Sequence, residues 1–232
     1  MRTSEQIDKI KQTEGQPVQL WNILTQETVN KLLLHYRVSD DIIVKETGPK
    51  VLHINLGEGL IDDIVKKLQT TFGNFEVRNA HIFDVSKPHI IHNDDDFEFP
   101  QVYKGFVMPL EVDGPINKAK FFVFDQYYYG GPAKFVKGLD VTDLPVHYNQ
   151  FVTDYNNVEG KSSKSINDEM LLELNHLQPS WLEGLSVRAY FPWTIGSCIA
   201  FDSCNLHCAS NFKNHGIKSK IGLSIFTKVS HA

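Results

Sequence analysis

Several of the features that would place a chain in a common class are scarce or missing here. There are only three cysteines, Cys198, Cys204 and Cys208, and they crowd into one short stretch. Three thiols cannot all pair with one another, so a disulfide framework is excluded and reduced thiols are expected. Nowhere do some eighteen apolar residues run together, as a membrane-spanning helix would need. The opening MRTSEQIDKIKQ has no apolar core of the signal-peptide kind, and a cytoplasmic location is expected. Positive charge is in deficit, with 23 Lys and Arg against 28 Asp and Glu and a net charge of -5. This balance gives no general attraction to phosphate backbones or anionic lipid, and disfavours nucleic acid and membrane as partners. No internal repeat or low-complexity tract is visible.

What is present suits one folded domain spanning residues 1-232, with 41% hydrophobic residues to fill a single substantial core. Apolar residues first recur at helical spacing: Val29, Leu32, Leu33 and Tyr36 in TQETVNKLLLHYRV, then Ile61, Ile64, Val65 and Leu68 between Leu60 and Phe72. From Val77 onward the period is two. Candidate strands are VLHIN, the stretch through Val77, Ala80, Ile82 and Val85, then GFVMPLEV, AKFFVFDQ, LSVRAYF, GSCIAFD and KIGLSIFTKV, with turns at Gly114-Pro115, Pro192 and Gly196. Helices followed by strands that do not alternate with them predict an α+β, mainly β fold, a jelly-roll backed by N-terminal helices. Residues 127-184, rich in Tyr, Asn, Gly, Ser and Lys, interrupt the pattern as an insertion, with a helix expected from a Ser165/Asp168 capping box to Leu177. An insertion of that length is expected to be a lid or substrate region, or else a packed surface elaboration.

The sharpest local signal is HIIHNDDDFEFP. In extended chain, residues i and i+2 project to the same side, so His92 and Asp94 can present an imidazole and a carboxylate to one point. A second histidine, His207, follows the apolar strand that Gly196 opens and Phe201 nearly closes. Two imidazoles and one carboxylate that leave coordination positions open are the ligand set of non-haem Fe(II) oxygenases. Such a site carries a net charge of +1, which suits an anionic, chelating 2-oxo acid with dioxygen in the remaining position. The far carboxylate of that cosubstrate needs a cation. Lys218 and Lys220 open the next strand, and Lys220, Gly222 and Ser224 share a face by parity, so Lys220 or Lys218 is expected to pair with it, Ser224 to donate beside it, and Gly222 to leave room.

These residues resemble a family. His92-x-Asp94, then Pro192, Gly196 and Phe201 leading to His207, then Lys220-Ile-Gly-Leu-Ser224, are similar to the motif order of the Fe(II)/2-oxoglutarate-dependent oxygenases, of the prolyl hydroxylase-like and phytanoyl-CoA hydroxylase-like kind. The resemblance covers roughly residues 77-229 and the helical lead-in. It implies a double-stranded β-helix, iron on His92, Asp94 and His207, and a dioxygenase that converts 2-oxoglutarate and O2 to succinate and CO2 while oxidising a substrate C–H, by hydroxylation or a related outcome. A small molecule or a protein side chain is the expected substrate. Two departures stand out. Lys220 replaces the commoner arginine, binding as a point charge rather than a fork, and Gly222 replaces the serine of the family's R-x-S.

Other readings remain open at this stage: a catalytically silent jelly-roll binding module, or a cupin-type metal enzyme independent of 2-oxoglutarate. Cys204 and Cys208 flank His207 but lack the fourth ligand of structural zinc. If the strand is continuous, His81 and His89 should by parity face away from His92, and both are expected to be structural. The run Tyr127-Tyr128-Tyr129 is expected either to line a substrate mouth or to pack against the insertion.

Overall fold

Two amphipathic helices with one apolar face each must bury those faces on something, and half-apolar strands supply the surface. A computed structural model of the chain describes residues 2-44, 50-54, 59-99, 101-139, 150-163 and 166-230. Its helices are α1 (Ser4–Lys11), α2 (Gln26–Val38), α3 (Asp62–Phe72) and α4 (Asp168–Glu173). Its strands are β1 (Val18–Leu20), β2 (Ile43–Val44), β3 (Lys50–His53), β4 (Phe75–Val85), β5 (Val102–Asp113), β6 (Lys120–Tyr127), β7 (Ala133–Phe135), β8 (Gln150–Val152), β9 (Val187–Pro192), β10 (Cys198–Asp202), β11 (Asn205–Ala209) and β12 (Ser219–Val229).

A seven-stranded sheet runs in the order β1-β10-β5-β12-β4-β3-β2, every pairing antiparallel. A smaller sheet, β11-β6-β9, faces it. The period-two pattern sorts side chains between the layers. Phe106, Met108, Cys198, Ala200, Leu223 and Ile225 turn outward and bury Val29, Leu32, Ile64 and Leu68 of α2 and α3. Fully burying such a side chain stabilises the fold by about 1.5–3 kcal/mol, which is why these two helices dock on the sheet. Their neighbours Val107, Ile199 and Phe201 turn inward and meet Phe121 and Val123 of β6. α2 starts where Thr25 accepts a hydrogen bond from the Thr28 amide. α1, which periodicity did not single out, is fixed by a capping box between Thr3 and Gln6.

The insertion has a core of its own. Phe122, Phe124, Leu206 and Cys208, on the far face of the small sheet, pack with Tyr155, Leu174, Trp181 and Leu185. Its short strands β7 and β8 pair in parallel beside that sheet. α4 is shorter than expected and is capped by Asn167, whose side chain accepts from the Met170 amide; Ser165 lies outside the described residues, as do residues 140-149 of the insertion. Tyr127, Tyr128 and Tyr129 are all buried, Tyr128 against Phe135 and the other two stacked on each other, so the run lines no mouth. Among the described residues no helix is long and apolar enough to cross a membrane.

Candidate metal centre

His92 and His207 are direct neighbours across a strand pair. The His92 amide donates to the His207 carbonyl at 3.0 Å and the His207 amide returns the bond at 2.9 Å. Residues opposite each other in a sheet share a face, so both imidazoles project inward between the two sheets. On its other side His92 bridges Lys134 of β7, which inserts the ligand-bearing segment between β11 and the insertion. The Asp94 amide donates to Ser203 O at 2.9 Å, pinning the carboxylate to the turn between β10 and β11.

The three side chains converge. Nε2 of His207 lies 3.1 Å from Asp94 Oδ2, and Nε2 of His92 lies 3.9 Å from Asp94 Oδ1. All three ligand atoms fall within 4.8 Å of one another. Each imidazole is oriented from behind: Nδ1 of His92 donates to Ile90 O at 2.8 Å, and Nδ1 of His207 to Asn205 O at 3.0 Å. That fixes the tautomer and leaves each Nε2 lone pair directed at the shared point. Burial and the adjacent His207 push His92 down to about 3, so it is neutral at ordinary pH. Burial alone would raise the Asp94 carboxyl, but His207, His92 and Arg78 outweigh it and hold the group well below the usual carboxylate range. Two imidazole nitrogens and a carboxylate converging on one point are a donor set for a divalent ion, so the residues present fit a metal.

The surroundings explain why this loop can be so acidic. Arg78 on β4 donates to the Asp94 carbonyl and pairs with Asp96 at 3.0 Å. Arg2 pairs with the fully buried Asp95, which also accepts from Gly131 N at 3.0 Å. The three aspartates therefore divide into one member of the His-Asp-His cluster and two anchors. On β11 the register slips between Asn205 and His207, and the Asn205 amide bonds the freed carbonyls of Phe124 and Gln126 at 2.9 and 3.1 Å. Irregularities of this sort re-aim a neighbouring side chain. Phe201 lies 4.5 Å from the His207 ring, centre to centre, in space left by Gly105, its cross-strand partner.

Lys220 is buried on the inward face of β12, with Nζ 3.9 Å from the centre of the Trp193 ring and 5.3 Å from that of Phe212. Burial pushes it down to about 7. No carboxylate among the described residues pairs with it. Lys218, by contrast, is exposed. Ser224 is buried opposite Val107 and His81 on the same face as Lys220. Two expectations need correcting. The room over Gly222 is filled, since a Cβ there would meet Phe83 Cζ at 2.7 Å and Trp193 Cζ2 at 2.9 Å. His81 and His89 do not face away from the site: His81 is the cross-strand partner of Ser224, and the His89 ring lies 5.3 Å from that of His92. Parity fails for His89 because β4 ends at Val85, before it. Cys208 points into the far core and Cys204 packs with Tyr127 and Tyr129, so neither sulfur joins the triad.

No family model matches the chain, and no curated protein does at the sequence level. Solved structures do match. The chain is similar to the epimerase SnoN, solved with Fe3+, alpha-ketoglutarate and nogalamycin RO, at a TM-score of 0.53 and 13% identity over 97% of this chain and 83% of that one. It is also similar to the non-heme alpha-ketoglutarate-dependent carbocyclase SnoK from nogalamycin biosynthesis, at 0.51 and 10% identity over 98% and 84%. The chain thus has the double-stranded β-helix fold of the Fe(II)/2-oxoglutarate oxygenases, with a His-Asp-His triad between its sheets.

Proposed function

We propose that this chain is an Fe(II)- and 2-oxoglutarate-dependent oxygenase acting on a C–H bond of a small molecule or a protein side chain. The observation that carries this reading is the pairing of an inward-facing His-Asp-His cluster with a buried lysine on the same inner surface that has no carboxylate partner among the described residues. His92, Asp94 and His207 would hold the iron, and Lys220 rather than the exposed Lys218 would take the distal carboxylate of 2-oxoglutarate, with Ser224 further along the same face. Bound iron would supply the redox chemistry that couples loss of CO2 from 2-oxoglutarate to substrate oxidation. In the balanced reaction one oxygen atom of O2 enters succinate and the other the hydroxylated product.

The protein's own part is to bind, orient and exclude. The Nδ1–H bonds to Ile90 O and Asn205 O hold both imidazoles in place and aim each Nε2 at the shared point. Phe121 and Phe201 pack around His207, leaving an apolar surround in which charge interactions are strong. The test is succinate release with Fe(II), 2-oxoglutarate and O2. His207→Ala should abolish it, and unchanged succinate release in that variant would overturn the reading. Metal-dependent activity without 2-oxoglutarate would point instead to a cupin-type enzyme, and no metal uptake to a silent binding module.

A further inference from the structure

Gly222 stands between Lys220 and Ser224 on the inward face of β12, where the family's motif has a serine. Its missing side chain is replaced by rings from elsewhere in the fold. The Trp193 indole, from the connection between β9 and β10, reaches the space a Cβ would need with its Cζ2 atom at 2.9 Å. In an indole, Cζ2 and Nε1 are both bonded to Cε2 and lie on one edge. The edge presented toward Gly222 is therefore the edge that carries the N–H. That N–H is buried and has no acceptor among the described residues, although the residue as a whole is only 1% exposed. Lys220 Nζ lies 3.9 Å from the centre of the same ring.

Buried donors without acceptors are uncommon in native proteins and call for an explanation. Here one neutral donor and one ammonium lie together, walled by Phe83, Phe212 and the indole itself. A neutral acceptor would satisfy the N–H and leave the ammonium unmatched. A halide-sized point charge would satisfy the ammonium and reach the N–H poorly. A carboxylate, with two oxygens about 2.2 Å apart, can serve both donors at once.

We propose that Trp193 is a cosubstrate-binding residue: its indole N–H donates to one oxygen of the distal carboxylate of the 2-oxo acid, while Lys220 balances the charge. This rests on the 2-oxoglutarate reading above and deepens it, since it assigns to the β9–β10 connection the task that a serine on β12 performs in the motif. Gly222 is then required for space, because a side chain at that position would displace the indole. A 2-oxo monoacid lacking the distal carboxylate should bind weakly, and so should the distal amide of 2-oxoglutarate.

The experiment uses the full chain loaded with Zn(II) as a diamagnetic ion. Titration calorimetry with 2-oxoglutarate should show Trp193→Phe binding about 10- to 100-fold more weakly than wild type, the range for losing one hydrogen bond to a charged group, with metal affinity unchanged. In wild-type protein the indole 15N–1H resonance of Trp193, assigned by its absence from Trp193→Phe, should move downfield on adding 2-oxoglutarate and stay put with the monoacid. Wild-type binding of 2-oxoglutarate with an unmoved indole resonance overturns the assignment of Trp193 and leaves the enzyme reading intact. Should Trp193→Phe not fold, the resonance is assigned by elimination from Trp21→Phe and Trp181→Phe, and that spectrum decides alone. Absence of any binding to the metal-loaded wild type overturns both.

Discussion

Replacing Lys220 with methionine should make the ligand-free protein more stable while disabling it as a cosubstrate site. Lys220 is 3% exposed, and burial lowers its ammonium from 10.5 to about 7. In the unfolded chain it keeps its ordinary value. At about 1.4 kcal/mol per pH unit, the gap amounts to about 5 kcal/mol against folding well below pH 7, and about 4 kcal/mol at pH 7, where the buried group is half protonated. Between pH 7 and 10.5 the unfolded chain binds more protons than the folded one, so wild-type stability rises with pH across that window and the penalty is gone above it. Methionine fills a similar volume without the charge. It forfeits the cation–π contact with Trp193, worth on the order of 1–2 kcal/mol when desolvated. The net gain expected at pH 7 is about 2–3 kcal/mol, or roughly 5–10 °C in Tm for a chain of this size. Thermal melts and urea titrations of metal-free protein at pH 6.5, 8 and 9.5 should show the variant ahead by a margin that shrinks as pH rises. The same variant should bind 2-oxoglutarate at least about 100-fold more weakly, because the ligand's carboxylate would be buried unpaired. A Lys220→Met protein less stable than wild type at every pH would refute the reasoning, since the lysine would then already have its counter-charge inside the protein.

Other outcomes follow from the same geometry. His207→Ala should bind no stoichiometric Fe(II) or Zn(II), and should lose the rise in Tm of roughly 5–10 °C that saturating metal at about 100 times Kd gives wild type; melts with and without a chelator check this. Arg78→Ala removes the donor to the Asp94 carbonyl and the partner of Asp96, and should weaken metal binding about 10- to 100-fold in a chelator competition assay. Gly105→Ala would place a Cβ 2.8 Å from Phe201 Cζ, and Phe201 cannot retreat without pressing on His207. A loss of about 1–3 kcal/mol in urea titration, together with weakened metal binding, is expected. Arg2→Ala would leave the Asp95 carboxylate buried without its partner, with a loss of about 3–5 kcal/mol in the same assay.

Much of this was legible in the sequence because period-two patterning survives translation into a sheet. The inward set Lys220, Gly222 and Ser224 and the outward set Ile221, Leu223 and Ile225 alternate on β12 as their parity requires. Val29, Leu32, Leu33 and Tyr36 of α2 and Ile64 and Leu68 of α3 are buried as their spacing marked, as is Ile61 just before α3, while Val65 is half-buried. The triad was legible because its two halves each sit in local patterns, an i,i+2 pair and a histidine just beyond a strand. What escaped depends on contacts between distant segments. The slip at Asn205, the reach of Arg78 and Arg2 into the aspartate loop, and the indole over Gly222 have no local period. His89 was misplaced for a related reason, since parity holds only while a strand lasts and β4 ends at Val85. Gly222 did carry a signal: a glycine in a central strand marks a site where something approaches closely, though the sequence could not say what.

The mutual hydrogen bonds between His92 and His207 also bear on how the chain acquires its shape. These two residues are about 115 positions apart, and closing a flexible loop of that length costs about 4 kcal/mol in chain entropy by (3/2)RT ln n. Before that closure the histidines are strangers; after it they are neighbours in one ladder, and the His-Asp-His cluster exists only in the second state. Metal affinity therefore reports whether the His92 segment has docked on β11, which makes a refolding time course followed by metal uptake a direct record of that docking.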